Sequence, residues 1–246
     1  LPPDQPLDVQ LVLPAGTGTL VRSYTPYAPP DAPAPPSDPT QPRPDPSNPM
    51  DPTAPTTDSD GDGMTDTWEA FYGTDPFDAS DATADPDGDG KTNREEFESN
   101  THPDSRWVRY FAEGNAVAPF RTWLNVYNAS PLDAPVNVTF YLDDATVLHH
   151  LVKAPASSRM TIDTSLIPAL QGHAFGMRVD GDETLVMNRT ITWNDQGVGA
   201  TAERGVTLSP TWHFAEGATH SSLQTFLLVT NPADTAATVE VEYLMK

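Results

Sequence analysis

From about residue 106 the chain alternates apolar and polar positions in short runs spaced by about ten residues. In PVNVTFYL the side chains of Val136, Val138, Phe140 and Leu142 share one face, while Asn137, Thr139 and Tyr141 share the other. Such period-two runs predict strands with one core face and one wet face. Seven are expected: Arg106–Ala112, Thr122–Asn128, Val136–Leu142, Thr146–Val152, Ser158–Asp163, Ala174–Val179 and Leu185–Trp193. Seven short strands joined by Asn, Asp, Gly and Pro turns point to an immunoglobulin-like β-sandwich.

The N-terminal pattern is weaker. LDVQLVL alternates Leu7, Val9, Leu11 and Leu13, PAGTG offers a turn and TLVRSY comes next, which predicts a hairpin within residues 1–25. Residues 26–57 have proline spacing and no apolar period, which reads as an extended, semi-rigid linker. Seventeen of the 27 prolines precede residue 58, so the core must be built from residues beyond the linker.

An internal repeat divides the β region. Phe111-Ala-Glu-Gly recurs as Phe214-Ala-Glu-Gly, and at the same offset Thr122-Trp-Leu-Asn-Val-Tyr-Asn aligns with Thr225-Phe-Leu-Leu-Val-Thr-Asn. Residues 105–209 then form one β-domain and 210–246 the start of a second. The short second copy cannot close a sandwich by itself. Two expectations arise: the chain is a piece of a longer protein, or its unpaired strands are completed by other copies in a fibre.

Between these regions stands the chain's densest chemistry. Numbering Asp58 as position one of a loop places Asp58, Asp60, Asp62, Asp66 and Glu69 at positions 1, 3, 5, 9 and 12. Gly63 is then at position 6, and the Met64 carbonyl at position 7. Twenty-seven residues on, Asp85, Asp87, Asp89, Asn93 and Glu96 repeat the pattern, with Gly90 at position 6 and the Lys91 carbonyl at position 7. This is EF-hand loop spacing, in which glycine allows a sharp turn and the last glutamate closes an oxygen shell with both oxygens. Six to eight hard oxygens suit calcium better than magnesium, so about two Ca2+ ions are expected.

PTAPTT cannot form an entering helix, so each loop has only a short exit helix. These are Asp66–Tyr72, closed by Gly73, and Asn93–Ser99, closed by Asn100. Trp68, Phe71 and Phe97 fall on their apolar faces and should make a miniature core. Thr65 and Thr92 stand at position 8, usually aliphatic in a sensor that opens a groove.

The pattern DxDGDGMTDxWE…GTDP…DPDGDGKTNxEEF…P resembles the thrombospondin type 3-like calcium-binding repeats of bacterial secreted and surface proteins, as one unit over residues 58–104. That resemblance implies further carboxylate ligands, for which Asp75, Asp78 and Asp81 are the candidates. The stretches WVRYFAEG and TWHFAEG…NPADTAATV resemble the tandem "WYFAEG" β-domains of exported bacterial proteins, which implies a sandwich without catalysis. A dockerin also pairs two calcium loops, but EEFESNTHP is short for its helices.

Charge sharpens this picture. Thirteen Lys/Arg against 35 Asp/Glu give a net charge of −22, with 16 acidic and two basic residues between Asp51 and Asp104. That balance disfavours nucleic acid and anionic membranes and attracts cations. No apolar run is long enough to span a membrane. The chain has no cysteine and begins at Leu1, which fits a mature exported protein or a piece of one.

Motifs for hydrolases, zinc enzymes and phosphate loops are missing, so no enzyme is expected. His149 and His150 are adjacent on a strand and should face opposite ways. Asp143-Asp144 reads as a hairpin turn. Glu113 and Glu216 recur in a repeated scaffold and should serve it, with Arg121 a candidate neighbour of Glu113. Trp123 and Trp193 are the residues on which a carbohydrate-binding reading would rest. The sequons at Asn128, Asn137 and Asn188 read as chance matches.

The sequence thus indicates a calcium-stabilised extracellular or cell-surface structural or adhesive protein. Its partners would be calcium and either further copies of itself or a surface glycan or protein.

Overall fold

The structure, a computed structural model, describes residues 9–13, 16–20, 47–182, 184–193, 199–214, 227–233 and 235–242. The chain divides into two units, residues 1–42 and 43–246. In the first, β1 (Val9–Leu13) and β2 (Gly16–Leu20) pair antiparallel with Leu13 opposite Gly16. Gly16, Thr17 and Gly18 of PAGTG thus belong to β2, and residues 1–8, 14–15 and 21–46 of the expected hairpin and linker lie outside the described residues.

The second unit is mainly β. Its strands are β3 (Trp107–Asn115), β4 (Phe120–Asn128), β5 (Ala134–Leu142), β6 (Val147–Ala154), β7 (Arg159–Asp163), β8 (Ala174–Gly181), β9 (Leu185–Trp193) and β10 (Ala200–Glu203). They form two antiparallel four-stranded sheets, ordered β10-β9-β4-β7 and β3-β8-β5-β6. The β4–β7 and β5–β8 pairs keep the central pairing of an immunoglobulin-like sandwich. The outer strands differ from that pattern, since β3 joins the sheet of β8 and β9 lies beside β4.

Alternation builds the core. Val136, Val138 and Phe140 on β5, Leu124 and Val126 on β4 and Phe111, Met177 and Val179 are all buried, and Phe140 meets Phe175 edge to face at 5.2 Å. At roughly 1.5–3 kcal/mol for each fully buried large apolar side chain, this cluster is the main favourable contribution to the fold.

The expected wet face of β5 is a correction. Asn137 and Thr139 are buried, because the acidic unit and the segment before it cover this side of the sheet. The Tyr72 hydroxyl donates to Asn137 Oδ1 at 2.6 Å and Asn137 Nδ2 to the Asn100 carbonyl at 3.5 Å. Asn48 Nδ2 donates to the Leu151 carbonyl at 2.9 Å, so residues 47–57 touch the sandwich through turns.

A second correction concerns Glu113. It lies in a β-bulge of β3 and accepts from Arg189 Nη1 at 3.0 Å, whereas Arg121 pairs with Asp163 at 2.8 Å. Arg189, 2% exposed, also reaches Glu203 at 2.8 Å and so ties β9 to β3 and β10. In the second FAEG copy the described residues 227–233 and 235–242 carry no strand, and Leu227, Val229, Val239 and Val241 are exposed. Residues 215–226, 234 and 243–246 of that repeat, Glu216 among them, lie outside the described residues.

Candidate metal centre

Helices α1 (Asp66–Tyr72) and α2 (Asn93–Ser99) occupy the expected spans. They begin where position 8 is threonine because each threonine is an N-cap. Thr65 Oγ1 accepts from Trp68 N, and Thr92 makes a reciprocal capping box with Glu95. Gly73 and Asn100 close the helices in the left-handed conformation. Between the helices, Met64, Trp68 and Ala82 form a small core with Tyr72 and Phe97 against it. Phe71 is buried elsewhere, beneath the Lys153 ammonium at 4.8 Å.

Each loop is wound by its own aspartates. Asp58 Oδ1 accepts from Gly61 N at 2.7 Å and Oδ2 from Gly63 N at 2.9 Å. Asp60 Oδ1 accepts from Asp62 N and Asp62 Oδ1 from Met64 N. The second loop repeats this: Asp85 accepts from Gly88 N and Gly90 N, Asp87 from Asp89 N and Asp89 from Lys91 N. Gly63 and Gly90 have φ of +90° and +96°, which a side chain would strain.

One set of oxygens is used by the backbone and another is left over. In the first loop Asp60 Oδ2, Asp62 Oδ2, both oxygens of Glu69 and Asp81 Oδ1 are buried without a hydrogen-bond partner. Ligand atoms of Asp58, Asp60 and Asp62 lie within 4.8 Å of one another, and so do those of Asp62, Glu69 and Asp81. Through the shared Asp62 these make one basin of five carboxylates. In the second loop Asp85, Asp87 and Asp89 make the corresponding trio, and both oxygens of buried Glu96 and Oδ1 of buried Asn93 are unpartnered. Unpartnered buried carboxylates are costly in water-excluded surroundings, and a divalent cation with six to eight oxygen ligands would satisfy them. The residues present therefore fit the ion that the spacing calls for.

Electrostatics record the same crowding. Burial, then Asp62, Asp60, Asp81 and Asp66, push the Glu69 carboxyl up to about 7. Burial, then Asp87 and Asp89, push Glu96 up to about 8, offset in part by Lys91.

Several predicted residues also make contacts of their own. Asp66 turns both oxygens to Ser59, accepting from its N and Oγ at 2.8 Å each. Asp87 Oδ2 accepts from Ser105 N and Oγ. Met64 is fully buried and Lys91 Nζ donates to Ser99 Oγ at 3.2 Å. Of the three further carboxylates, Asp81 joins the first basin, whereas Asp75 and Asp78 accept from backbone N–H groups of their own turns.

Sequence reasoning missed the ties between the loops. Arg94 Nη1 donates to the Asp62 carbonyl, and Asn93 Nδ2 donates to the Asp81 carbonyl at 2.9 Å, so α2 of the second loop holds two residues of the first basin. It also missed buried His102, whose ring meets Tyr72 edge to face at 5.0 Å and whose pKa burial lowers to about 4. A histidine between two polar loops gives no periodic signal.

The other candidates separate. His149 accepts or donates at Thr139 Oγ1 across 3.2 Å, and burial lowers the pKa of both His149 and His150. Asp143 and Asp144 form the β5–β6 turn, with Asp143 Oδ1 at 2.8 Å from His173 Nδ1. Trp123 lies on the outer face of β4 opposite Thr190, whereas Trp193 follows the inward register of β9. The two indoles therefore do not share a platform. Asn128 and Asn137 are buried, and Asn188 is exposed.

The fold and site define a β-sandwich carrying an acidic two-loop unit of calcium-binding type. Residues 58–79 match the family described as the bacterial TSP3 repeat. No curated protein matches the chain. Among solved structures, it is similar to one titled Thermotoga maritima 1070, at 12% identity and a TM-score of 0.37, over 40% of this chain and 91% of that one. It is also similar to the Anabaena sensory rhodopsin transducer, at 20% identity and a TM-score of 0.28, over 32% and 89% of the two chains. Among the described residues no helix is long and apolar enough to cross a membrane.

Proposed function

We propose that this chain is a non-catalytic structural or adhesive module of an extracellular or cell-surface protein, in which calcium turns the acidic unit into a rigid joint on the β-sandwich. The observation that carries the reading is the pair of buried, unpartnered glutamates, Glu69 and Glu96, each set against an aspartate-wound loop. In this reading the first ion is held by Asp58, Asp60, Asp62, Glu69, Asp81 and the Met64 carbonyl. The second is held by Asp85, Asp87, Asp89, Asn93, Glu96 and the Lys91 carbonyl. Asp66 acts through Ser59.

The joint works by coupling ion binding to folding. Without the ion, the carboxylates repel and the glutamates draw water or protons. With it, α1 and α2 are fixed, and so is Tyr72, which holds Asn137 on the sandwich. Loops of this kind in extracellular modules bind at about 10⁻⁴–10⁻³ M, matched to calcium outside cells. A module stiffened in this way would serve as a rigid element of a stalk or a fibre.

A chelator should lower the melting temperature and open residues 58–104 to protease, and magnesium at the same concentration should restore neither. If the chelated chain melts and cleaves like the calcium-loaded one, the joint does not exist.

A further inference from the structure

A second site is marked by the placement of positive charge. Acidic residues outnumber basic ones 35 to 13, and five of the described arginines, Arg94, Arg106, Arg121, Arg178 and Arg189, sit in ion pairs. Among the described residues Arg109, Arg159 and Arg204 have no carboxylate partner. Two of these three line one cavity.

That cavity, of about 360 Å³, lies between β3, the start of β9 and the turn after β10, lined by Trp107, Arg109, Leu185, Val186, Met187, Arg204 and Gly205. Its floor is fixed: Leu185 and Met187 are each 2% exposed. The Arg109 guanidinium stacks 4.5 Å over the Trp107 ring and donates from Nη1 to the Val108 carbonyl at 2.8 Å. These contacts hold its plane while leaving other N–H donors free. Gly205 brings Arg204 alongside. Its φ of +71° and its approach to Arg109 Cβ, 3.1 Å from where a Cβ would stand, leave room for glycine alone. The turn is pinned one residue later, where Val206 and Tyr110 exchange backbone hydrogen bonds of 2.8 and 2.9 Å.

We propose that this cavity binds a carboxylate carried on a sugar-sized ring, that is, an acidic saccharide unit. Two guanidiniums recognise a carboxylate through paired N–H donors, and the exposed Val186 side chain gives the apolar face of a ring a surface to lie against. A cavity of this size admits one such unit, not a folded or helical acidic segment. The rest of the chain repels anions, so the site depends on its two arginines and weakens with salt. None of the lining residues belongs to the calcium loops, so failure of this site would leave the joint untouched.

The test is calorimetric titration of the full, calcium-loaded chain with glucuronate, a hyaluronan tetrasaccharide, glucose, acetate and hexaglutamate. The two acidic sugars should bind, and glucose and acetate should bind at least about tenfold more weakly. Arg204→Gln, an exposed position, should weaken the acidic sugars about tenfold at an unchanged melting temperature. Arg109→Gln should do the same. Equal binding of glucose or acetate, tighter binding of hexaglutamate, undiminished binding by folded Arg204→Gln, or no binding of either acidic sugar would each overturn the proposal.

Discussion

Tyr72→Phe removes one oxygen from the seam between the acidic unit and the sandwich. That hydroxyl donates to Asn137 Oδ1 at 2.6 Å, and Asn137 is 1% exposed, so the substitution leaves a buried acceptor without a partner. Stranding such a group costs about 1–3 kcal/mol. For a domain of this size each kcal/mol moves the melting temperature by roughly 2–4 °C, so a fall of about 2–12 °C is expected in calcium. Asn137→Ala strands the hydroxyl in turn and should cost a similar amount. With both changed, neither group is left wanting, and the double variant should be more stable than the sum of the single losses by at least about 1 kcal/mol. Scanning calorimetry of the four chains measures this coupling in calcium and again in chelator. If the joint is set by calcium, the coupling disappears in chelator. Additive losses in calcium, or a coupling that is the same in both, would refute the reasoning.

Three further outcomes concern the loops and the bulge. Gly63→Ala and Gly90→Ala put a side chain at φ near +90° and should each cost about 1–2 kcal/mol of calcium-loaded stability by thermal melts. Gly63→Ala should cost more, because its methyl would meet the Arg94 guanidinium, whereas the space at Gly90 is open. Arg189→Met removes a buried cation that clasps Glu113 and Glu203 and should cost about 2–3 kcal/mol in urea unfolding. Glu113→Gln leaves Arg189 its bonds to the Glu113 carbonyl and to Glu203, and should cost under about 1 kcal/mol. In the calcium-free fold Glu69 and Glu96 titrate near 7 and 8, above an unfolded value of 4.5, so the folded chain binds more protons between those limits. Stability in chelator should therefore fall as pH rises from about 4.5 to about 8, and calcium affinity should rise across pH 7 to 8 with proton release. Melts in chelator at pH 5 and 8.5, and calcium titrations in two buffers, check both signs.

Local signals are legible in the sequence and contacts between distant segments are not. Period-two alternation places Thr122–Asn128, Val136–Leu142 and Leu185–Trp193 on the observed strands, and capping threonines with Gly73 and Asn100 mark both helices. Strand β10 escapes because Ala200-Thr-Ala-Glu has no large apolar residue to alternate. The burial of Asn137 and Thr139 escapes because what covers them is a helix some 65 residues earlier, joined through the Tyr72 hydroxyl. Glu113 serves the scaffold, as its place in a repeat suggests, but its partner Arg189 lies 76 residues away and nothing local distinguishes it from Arg121. At the loops, spacing supplies the clustered Asp58, Asp60, Asp62 and Glu69, while the arrival of Asp81 beside them depends on how the turn after α1 folds back.

The central claim is that the buried glutamates close calcium sites. Calorimetric titration of the full chain with calcium, beside Glu69→Gln and Glu96→Gln, tests it directly. The account predicts about two ions for the unaltered chain, with each variant losing one site or at least about tenfold in its affinity. Absence of calcium binding at millimolar concentrations, or full binding by both variants, would contradict it.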